Sequence, residues 1–163
     1  MFQILDNAKK KKIIEKISSL GITKVPYLLI RIGKERILAY SGNLSREELS
    51  EISGLLSIEG LGTYFGKELE DKSFRLSVDM LHLLKEQVTK NKIYINKEQE
   101  EQWFYGENVL LSEKQQEEYK DVNGFVAVCS SDEYKDILGT GKISQDKKMI
   151  SNFLPKERRV RKN

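Results

Sequence analysis

The residues best suited to bind a ligand lie at the C-terminal end of the chain. Five of the seven residues from Lys156 to Lys162 are basic, and three of the chain's seven arginines are among them. Arginine presents a planar fork of donors that can bind two phosphate oxygens at once, so it suits nucleic-acid backbones. A basic stretch of this kind also serves as a solubilising tail. The run from Lys9 to Lys12 is a second basic candidate, although such runs more often form a solvated face.

Residues that could perform catalysis are isolated in the sequence. His82 is the only histidine, and it has no partner at a metal-ligand or acid–base spacing. Cys129 is the only cysteine, and its apolar surroundings predict a buried thiol rather than a nucleophile. The glycine-rich stretch 60–67 lacks the spacing of a P-loop or a dinucleotide-binding turn. We therefore predict a protein that is not an enzyme, with no catalytic residue, metal or cofactor.

The charge of the chain is divided rather than large. The formal net charge is +3 at pH 7. Residues 92–146 carry six lysines against twelve acidic residues, whereas residues 147–163 carry seven basic residues against one glutamate. This division predicts that contacts with a polyanion are confined to the C-terminal basic edge. The sequence shows no signal-peptide pattern and no membrane-length apolar run, and its single cysteine suits a reducing compartment, so we expect a cytoplasmic protein.

The stretch from Lys92 to Leu111 has the pattern strand, short helix, glycine, strand. Asn96 is a candidate N-cap, and Gln99 follows at the capping-box position. Gly106 is placed to end the helix in the left-handed conformation and to let another backbone approach closely. The pattern therefore predicts a helix over about 97–105 between two strands.

The chain after this unit predicts more strands. Residues 112–122 are polar and acidic, which indicates a loop or a short helix. Residues 125–129 are apolar on both faces, as in a central strand. Residues 137–143 form the next strand, in which Gly139 and Gly141 leave room for a neighbouring element.

The chain before Lys92 predicts helices and strands together. Apolar spacing indicates a helix over 6–20 that stops at Gly21. Two strands over 25–32 and 35–40 are joined by Gly33-Lys34, which fits a two-residue type II′ hairpin. We expect the glycine-rich stretch to form a tight turn packed against a helix. The polar residues 89–92 mark the domain boundary.

Two further helices are predicted in this half. Ser45 and Glu48 form a capping box, opening a helix whose apolar face includes Leu49, Ile52 and Leu55 or Leu56. Residues 73–78 alternate as in a half-buried strand. Asp79 is the expected cap of the helix that follows, and the residues expected to be mostly buried there are Met80, Leu81, Leu83, Leu84 and Val88.

The strand–helix–glycine–strand unit resembles the opening of a PUA domain, a small RNA-binding pseudo-barrel. Two upstream segments, Leu61–Lys67 and Ser73–Val78, are similar to the Nip-seven family, which works in large-subunit ribosome biogenesis. The similarity runs in the same order over nearly the whole chain, and it is closer to short archaeal members. It implies an α+β fold with an N-terminal α/β pre-PUA domain over 1–89 and a mostly β PUA pseudo-barrel over 90–163. It also implies structural glycines in 60–67 and places Tyr64 and Phe65 in the core.

The resemblance implies an RNA-binding protein that acts on pre-ribosomal or uridine-rich RNA. A PUA fold places the last strand beside the strand after Gly106. The residues that would then share one RNA-binding surface are Arg158, Arg159, Arg161, Lys162, Gln102, Tyr105 and Gly106. The resemblance also implies biogenesis factors or exosome subunits as protein partners, modulation of exosome processing, and a monomer. The alternative is a translation adaptor with the same two domains, acting on the small subunit or on tRNA, against which the Leu61–Lys67 segment argues.

Overall fold

The fold contains one antiparallel sheet and one mixed sheet, with short helices between their strands. A computed structural model describes residues 2–58 and 60–161. Within this part of the chain there are two five-stranded sheets, and the structure includes a sheet curled into a half-barrel. The predicted α+β class is confirmed.

The first sheet is an antiparallel meander in which each strand pairs with its neighbour along the chain. Its strands are β1 (Phe2–Ile4), β2 (Leu28–Ile32), β3 (Arg36–Tyr40), β4 (Thr63–Glu68) and β5 (Phe74–Leu76). The turn between β2 and β3 contains Gly33, Lys34 and Glu35, so the predicted two-residue hairpin is one residue too short. The sequence analysis did not predict β1.

Helix α1 (Asn7–Ile17) continues into a 3-10 turn over Ser18–Leu20. The side chain of Asp6 accepts from Lys9 N at 2.7 Å, which caps the helix. Gly21 follows with a φ of 94°, where a left-handed residue ends a helix without strain. The predicted helix and its stop are therefore confirmed.

Helix α2 (Arg46–Leu55) begins with the predicted capping box of Ser45 and Glu48. Leu49 is buried, but Leu55 and Leu56 are 83% and 66% exposed. The prediction that one of these two leucines is part of the buried face is wrong, because most of each side chain is exposed to solvent.

The glycine-rich stretch enters strand β4 at Thr63, and Gly62 forms a bend just before it, so the predicted tight turn packed against a helix is not what residues 63–67 form. Phe65 is buried in β4, whereas Tyr64 is only half-buried, so the expectation of two core aromatics holds for Phe65 alone. The glycines allow close backbone packing: a Cβ on Gly62 would lie 2.1 Å from the carbonyl oxygen of Ala39, and Gly62 has a φ of 86°. A side chain there would collide with the neighbouring strand.

Helix α3 (Val78–Leu83) is capped by Ser77 and not by Asp79, because the Ser77 hydroxyl accepts from Met80 N at 3.2 Å. Asp79 lies in the first turn, where a carboxylate is also favourable. Leu83 is 58% exposed, which contradicts its predicted burial. The other predicted core residues of this segment are Met80, Leu81, Leu84 and Val88, and all of them are buried.

The second sheet has the order β6-β8-β9-β10-β7. Its strands are β6 (Lys92–Ile95), β7 (Val109–Leu110), β8 (Phe125–Ser130), β9 (Ile137–Ile143) and β10 (Met149–Asn152). Strand β8 is parallel to β6 and antiparallel to β9, and each of its six residues is buried, which confirms the predicted central strand. Helices α4 (Lys97–Phe104) and α5 (Glu113–Glu118) connect the strands, and β10 was not predicted.

The two sheets share part of one hydrophobic core. Ala127 and Cys129 of β8 pack with the core of the first sheet, while Val126 and Val128 on the other face join the core around Trp103. Thr140 Oγ1 also donates to Leu76 O at 2.8 Å across the junction. Because alternate side chains of β8 pack into the two cores, this strand joins the two halves of the chain. The division of the chain into domains at residue 89 stays a prediction.

Candidate nucleic-acid interface

The C-terminal end of helix α4 is built around Gly106. Gly106 N donates to Trp103 O and Glu107 N donates to Gln102 O, both at 3.0 Å, which is the hydrogen-bond pattern of a Schellman motif. The motif needs a left-handed residue, and Gly106 has a φ of 80°. The predicted capping box at the other end is also present, since Asn96 and Gln99 exchange side-chain and backbone hydrogen bonds at 2.9 and 3.0 Å. Both ends of this short helix are thus fixed by local sequence.

The arginine tail packs directly on this helix end. Val160 N donates to Phe104 O at 2.8 Å, and Arg159 Nε donates to Leu154 O at 3.0 Å. A Cβ on Gly106 would lie 2.5 Å from Cδ and 2.6 Å from Nε of Arg159. The space that the missing side chain leaves is therefore used by an arginine of the same chain, which brings two of the predicted site residues together.

Asn152 at the end of β10 orients this assembly. Its side-chain amide donates to Trp103 O at 2.8 Å and to Glu107 O at 2.9 Å, and its side-chain oxygen accepts from Leu154 N at 2.8 Å. One amide thus links the end of α4 to the start of the tail. Sequence reasoning missed this residue, because a single Asn after an unpredicted strand carries no local signal.

The tail itself is not a strand. Lys156–Arg158 form a 3-10 turn, and the strand beside β7 is β10, with Met149 opposite Leu110. The tail nevertheless lies beside the helix as expected, because the chain after β10 turns back over the end of α4. The position of the tail on α4 is therefore fixed by the hydrogen bonds of Asn152 and Val160 rather than by pairing with a strand.

The remaining predicted site residues lie at different places around this surface. Arg158 forms an ion pair with Asp79 of α3, so it faces the first half of the chain. Arg161 and Gln102 are exposed, and Tyr105 is half-buried at the C-cap of α4. Lys162 lies outside the described residues.

The second basic candidate, Lys9 to Lys12, is partly engaged within the protein. Lys9 lies 3.7 Å from the Asp6 carboxylate, and Lys10 Nζ donates to Tyr27 O at 2.8 Å. Burial lowers the pKa of Lys10, with a smaller contribution from Arg46. Only the exposed Lys11 and Lys12 extend from this face in the manner of a polyanion-binding surface.

The two isolated reactive residues of the sequence, Cys129 and His82, differ in exposure. Cys129 is fully buried, and burial raises the pKa of its thiol to about 11. His82 is exposed on α3. Within residues 2–58 and 60–161, no group of three or more His, Cys, Asp or Glu side chains is arranged to hold a metal ion.

A further basic feature lies on the first sheet and was missed by sequence reasoning. Arg36, Lys67 and Arg75 occupy directly opposed positions on β3, β4 and β5, so their side chains share one face of the sheet. Lys67 pairs with Glu35 at 2.7 Å. Each strand alone shows one cation among many, and only the pairing register shows the row.

No described helix combines the length and the apolar character needed to cross a membrane. A comparison with family models and a comparison with curated proteins each returned no match for this chain.

Proposed function

We propose that this chain is a non-catalytic RNA-binding protein of ribosome biogenesis, built from a pre-PUA and a PUA domain. In this proposal its C-terminal basic edge, defined as Arg158 to Lys162 together with the end of α4, binds single-stranded pre-ribosomal RNA. The observation that carries the proposal is the packing of Arg159 on Gly106, because it fixes an arginine-rich segment against a rigid helix end. A cation held on a fixed backbone needs less ordering when it binds phosphate.

The charge division supports binding at this edge. Residues 92–146 are net acidic and repel a polyanion, so within the second half of the chain phosphate contacts are most favourable along the basic tail. Phosphate contacts dominate affinity and make it depend steeply on salt. Base selectivity at such a surface is modest, and it comes from stacking and base-edge contacts.

Tyr105 and Gln102 supply the groups for base contacts. Both belong to the last turn of α4, next to the glycine on which Arg159 packs. A tyrosine ring stacks on any base, and an amide can donate to and accept from a base edge. Pre-ribosomal RNA as the target, and biogenesis factors or exosome subunits as partners, rest on the resemblance of the Leu61–Lys67 and Ser73–Val78 segments to the Nip-seven family.

The test is a titration of a labelled uridine-rich RNA at several salt concentrations. Replacing Arg159, Arg161 and Lys162 by alanine is expected to remove most of the affinity. If each cation contacts one phosphate, the log–log salt slope falls by about 2. The matched control replaces three exposed lysines elsewhere, Lys85, Lys90 and Lys114, and is expected to bind nearly as the parent does. Equal losses in both variants would mean that only net charge matters.

A second pair of variants separates stacking from charge. Tyr105→Ala is expected to cost about 1–3 kcal/mol of binding free energy without changing the salt slope, while Tyr105→Phe keeps the ring and the affinity. In cells, crosslinking followed by sequencing of the bound RNA tests the target. Recovery of small-subunit RNA or tRNA in place of large-subunit precursors would favour the translation-adaptor alternative.

A further inference from the structure

A cleft of about 440 Å³ lies at the junction of the two sheets. Its walls are strands β3–β5 on one side and residues 153–157, just before the arginine tail, on the other. This volume falls within the range of ordinary small-ligand sites. The cleft is separate from the end of α4, but the same segment of chain leads from one to the other.

Two arginines in the cleft lie over aromatic rings. Arg75 Cζ is 4.8 Å from the ring centre of Phe153, and Arg36 Cζ is 5.6 Å from the ring centre of Tyr64. Such cation–π contacts hold a guanidinium plane in a defined orientation. Guanidinium planes and aromatic rings are the kinds of surface on which unpaired RNA bases stack. The Phe153 ring also packs against Phe125, with ring centres 5.8 Å apart, so it is held from two sides.

The cleft also has an excess of positive charge. Arg36 and Arg75 flank Lys67 in one cross-strand row, and like charges in such a row destabilise a sheet. Among the described residues, neither guanidinium has a carboxylate partner within 4.0 Å. Lys156 adds a third cation to the cleft lining. These cations are therefore available to a bound anion.

The acidic groups of the cleft do not cancel this charge. Asp79 is already paired with Arg158, and Glu157 is exposed at the rim. The Asp79–Arg158 pair also joins the cleft wall to the tail. The chain from Arg161 back to Lys156 therefore leads from the end of α4 to the lining of the cleft.

We propose that this cleft binds one nucleotide of the RNA strand that the basic edge holds. The base stacks on the arginine–aromatic platforms at Tyr64 and Phe153, and the adjoining phosphates contact Arg36, Arg75 and Lys156. This inference rests on the proposed RNA-binding function and adds a second, base-accepting site to it. The first half of the chain then contributes directly to RNA binding, and the footprint is longer than the tail alone covers.

The first test uses a twelve-nucleotide uridine-rich RNA and the double variant Arg36→Gln, Arg75→Gln, which keeps polar side chains of similar length. The variant is expected to bind about tenfold more weakly, with the salt slope reduced by about 1.4 for two lost phosphate contacts. The control, Lys85→Gln with Lys90→Gln, removes two positive charges outside the cleft and is expected to leave both quantities nearly unchanged.

The second test uses the unaltered protein, so it does not depend on the folding of a variant. Ultraviolet crosslinking to the same RNA, with mass spectrometry of the peptides, is expected to give a uridine adduct on Tyr64 or Phe153. The adduct is expected to be lost in the Arg36→Gln, Arg75→Gln variant, while an adduct on Tyr105 persists. An RNA complex with no crosslink in the cleft would overturn the inference.

The tail and cleft variants together distinguish the two proposals. If the tail variant loses affinity and the cleft variant does not, the cleft inference is wrong and the proposed function stands. If neither variant loses affinity, the basic edge and the cleft are both wrong. Uridine monophosphate is titrated in parallel, and a cleft that binds it but gives no crosslink to RNA would be a free-nucleotide site, which also contradicts the inference.

Discussion

The two sheets of this protein are assembled in different ways. In the first sheet every strand pairs with its neighbour in sequence, and close packing depends on glycines such as Gly62 and Gly66. In the second, β6 pairs with β8 in parallel, and β7 lies at the far edge beside β10. Buried and half-buried amides at Gln99, Gln115 and Asn152 connect these distant segments.

The two candidate ligand surfaces lie in parts of the fold that differ in this way. A meander closes its backbone hydrogen bonds locally. The face of β3–β5 that carries Arg36 and Arg75 lines the cleft beside Phe153. The second sheet needs side-chain hydrogen bonds to satisfy backbone groups at its crossovers. The candidate RNA surface at the end of α4 lies beside such bonds, made by Asn152 to Trp103 O and Glu107 O.

The largest expected effect compares two glycines with positive φ. Gly62→Ala places a Cβ 2.1 Å from a backbone oxygen, which can move only with its strand, so we expect a loss of about 3 kcal/mol or more in unfolding free energy. Gly106→Ala meets the side chain of Arg159, which can move, so we expect about 1–2 kcal/mol. Urea unfolding of both variants measures this difference.

RNA titration of the same two variants sharpens the comparison. Where Gly62→Ala remains folded, it is expected to bind RNA more strongly than Gly106→Ala does, because it leaves the packing of Arg159 on Gly106 unchanged. Gly106→Ala is expected to weaken binding because it displaces that arginine. Equal losses of stability, with no change in binding, would show that both glycines are structural only.

The second prediction compares glutamine-to-leucine substitutions in the two halves of the chain, at Gln99 and at Gln87. Gln99 Nε2 donates to Leu110 O and Gln115 Oε1, and its Oε1 accepts from Asn96 N. Gln99→Leu leaves buried polar groups without partners, so we expect a loss of about 2–3 kcal/mol. The reference is Gln87→Leu in the first half.

Gln87 makes a comparable set of bonds near solvent. Its amide bonds the backbone of Thr23 and Lys24 at 2.8–3.1 Å, and water can replace these bonds when the amide is lost. We therefore expect Gln87→Leu to cost about 1 kcal/mol or less. Equal costs in urea unfolding would contradict the view that the second sheet depends more on side-chain hydrogen bonds.

The sequence predicted features whose cause lies within a few residues. The capping boxes at Ser45 and Asn96, the left-handed Gly106 and the apolar strand β8 are all confirmed, because each depends on local spacing. The sequence predicted Asp79 as the N-cap of α3, whereas the N-cap is Ser77. Serine and aspartate are both good N-caps, and these two residues are only two positions apart.

The features that the sequence did not predict depend on distant partners. Strands β1 and β10 are short, and each pairs with a strand that is distant in sequence: β1 with β2, and β10 with β7 as well as with its hairpin neighbour β9. Leu55 and Leu56 have helical spacing, but no element covers them. At the candidate site, sequence reasoning placed Gly106 near the tail but did not predict that Arg159 fills its open side, nor that Arg158 turns to Asp79.

The third prediction concerns the core that the two halves share. Burial raises the pKa of Cys129 to about 11, so at pH 10 the unfolded state binds fewer protons than the folded state. Stability is therefore expected to fall as pH rises from 9 towards 11, by about 1 kcal/mol at pH 10. Cys129→Ala removes this contribution, and the difference between the two pH profiles isolates it from the tyrosines.

Thiol labelling of Cys129 is a second test of whether the two halves unfold together, since they share this core. The side chain belongs to the second sheet but packs in the core of the first. We expect a single unfolding transition, with labelling only at the rate of global unfolding. Labelling that precedes the loss of secondary structure would show that the two halves separate before either unfolds.

The smallest expected effect concerns the ion pair between the halves. Asp79 holds Arg158, and both side chains are more than 40% exposed, so the pair contributes about 1 kcal/mol or less to stability. If the basic edge binds RNA as proposed, phosphate must compete with Asp79 for Arg158. Asp79→Asn releases the arginine and removes a negative charge from the cleft. We therefore expect a few-fold gain in affinity and a salt slope larger by about 0.7.

The control for this gain is Asp121→Asn, which removes an equal charge from an exposed position on the acidic body. It is expected to change affinity less and to leave the slope unchanged, because it frees no cation. In the parent, Arg158→Ala should then lower the RNA affinity less than Arg161→Ala does. In the Asp79→Asn background, Arg158→Ala should lower the affinity at least as much as Arg161→Ala. A full loss of one phosphate contact on Arg158→Ala in the parent would show that RNA already displaces Asp79, and that the pair is only a feature of the free protein.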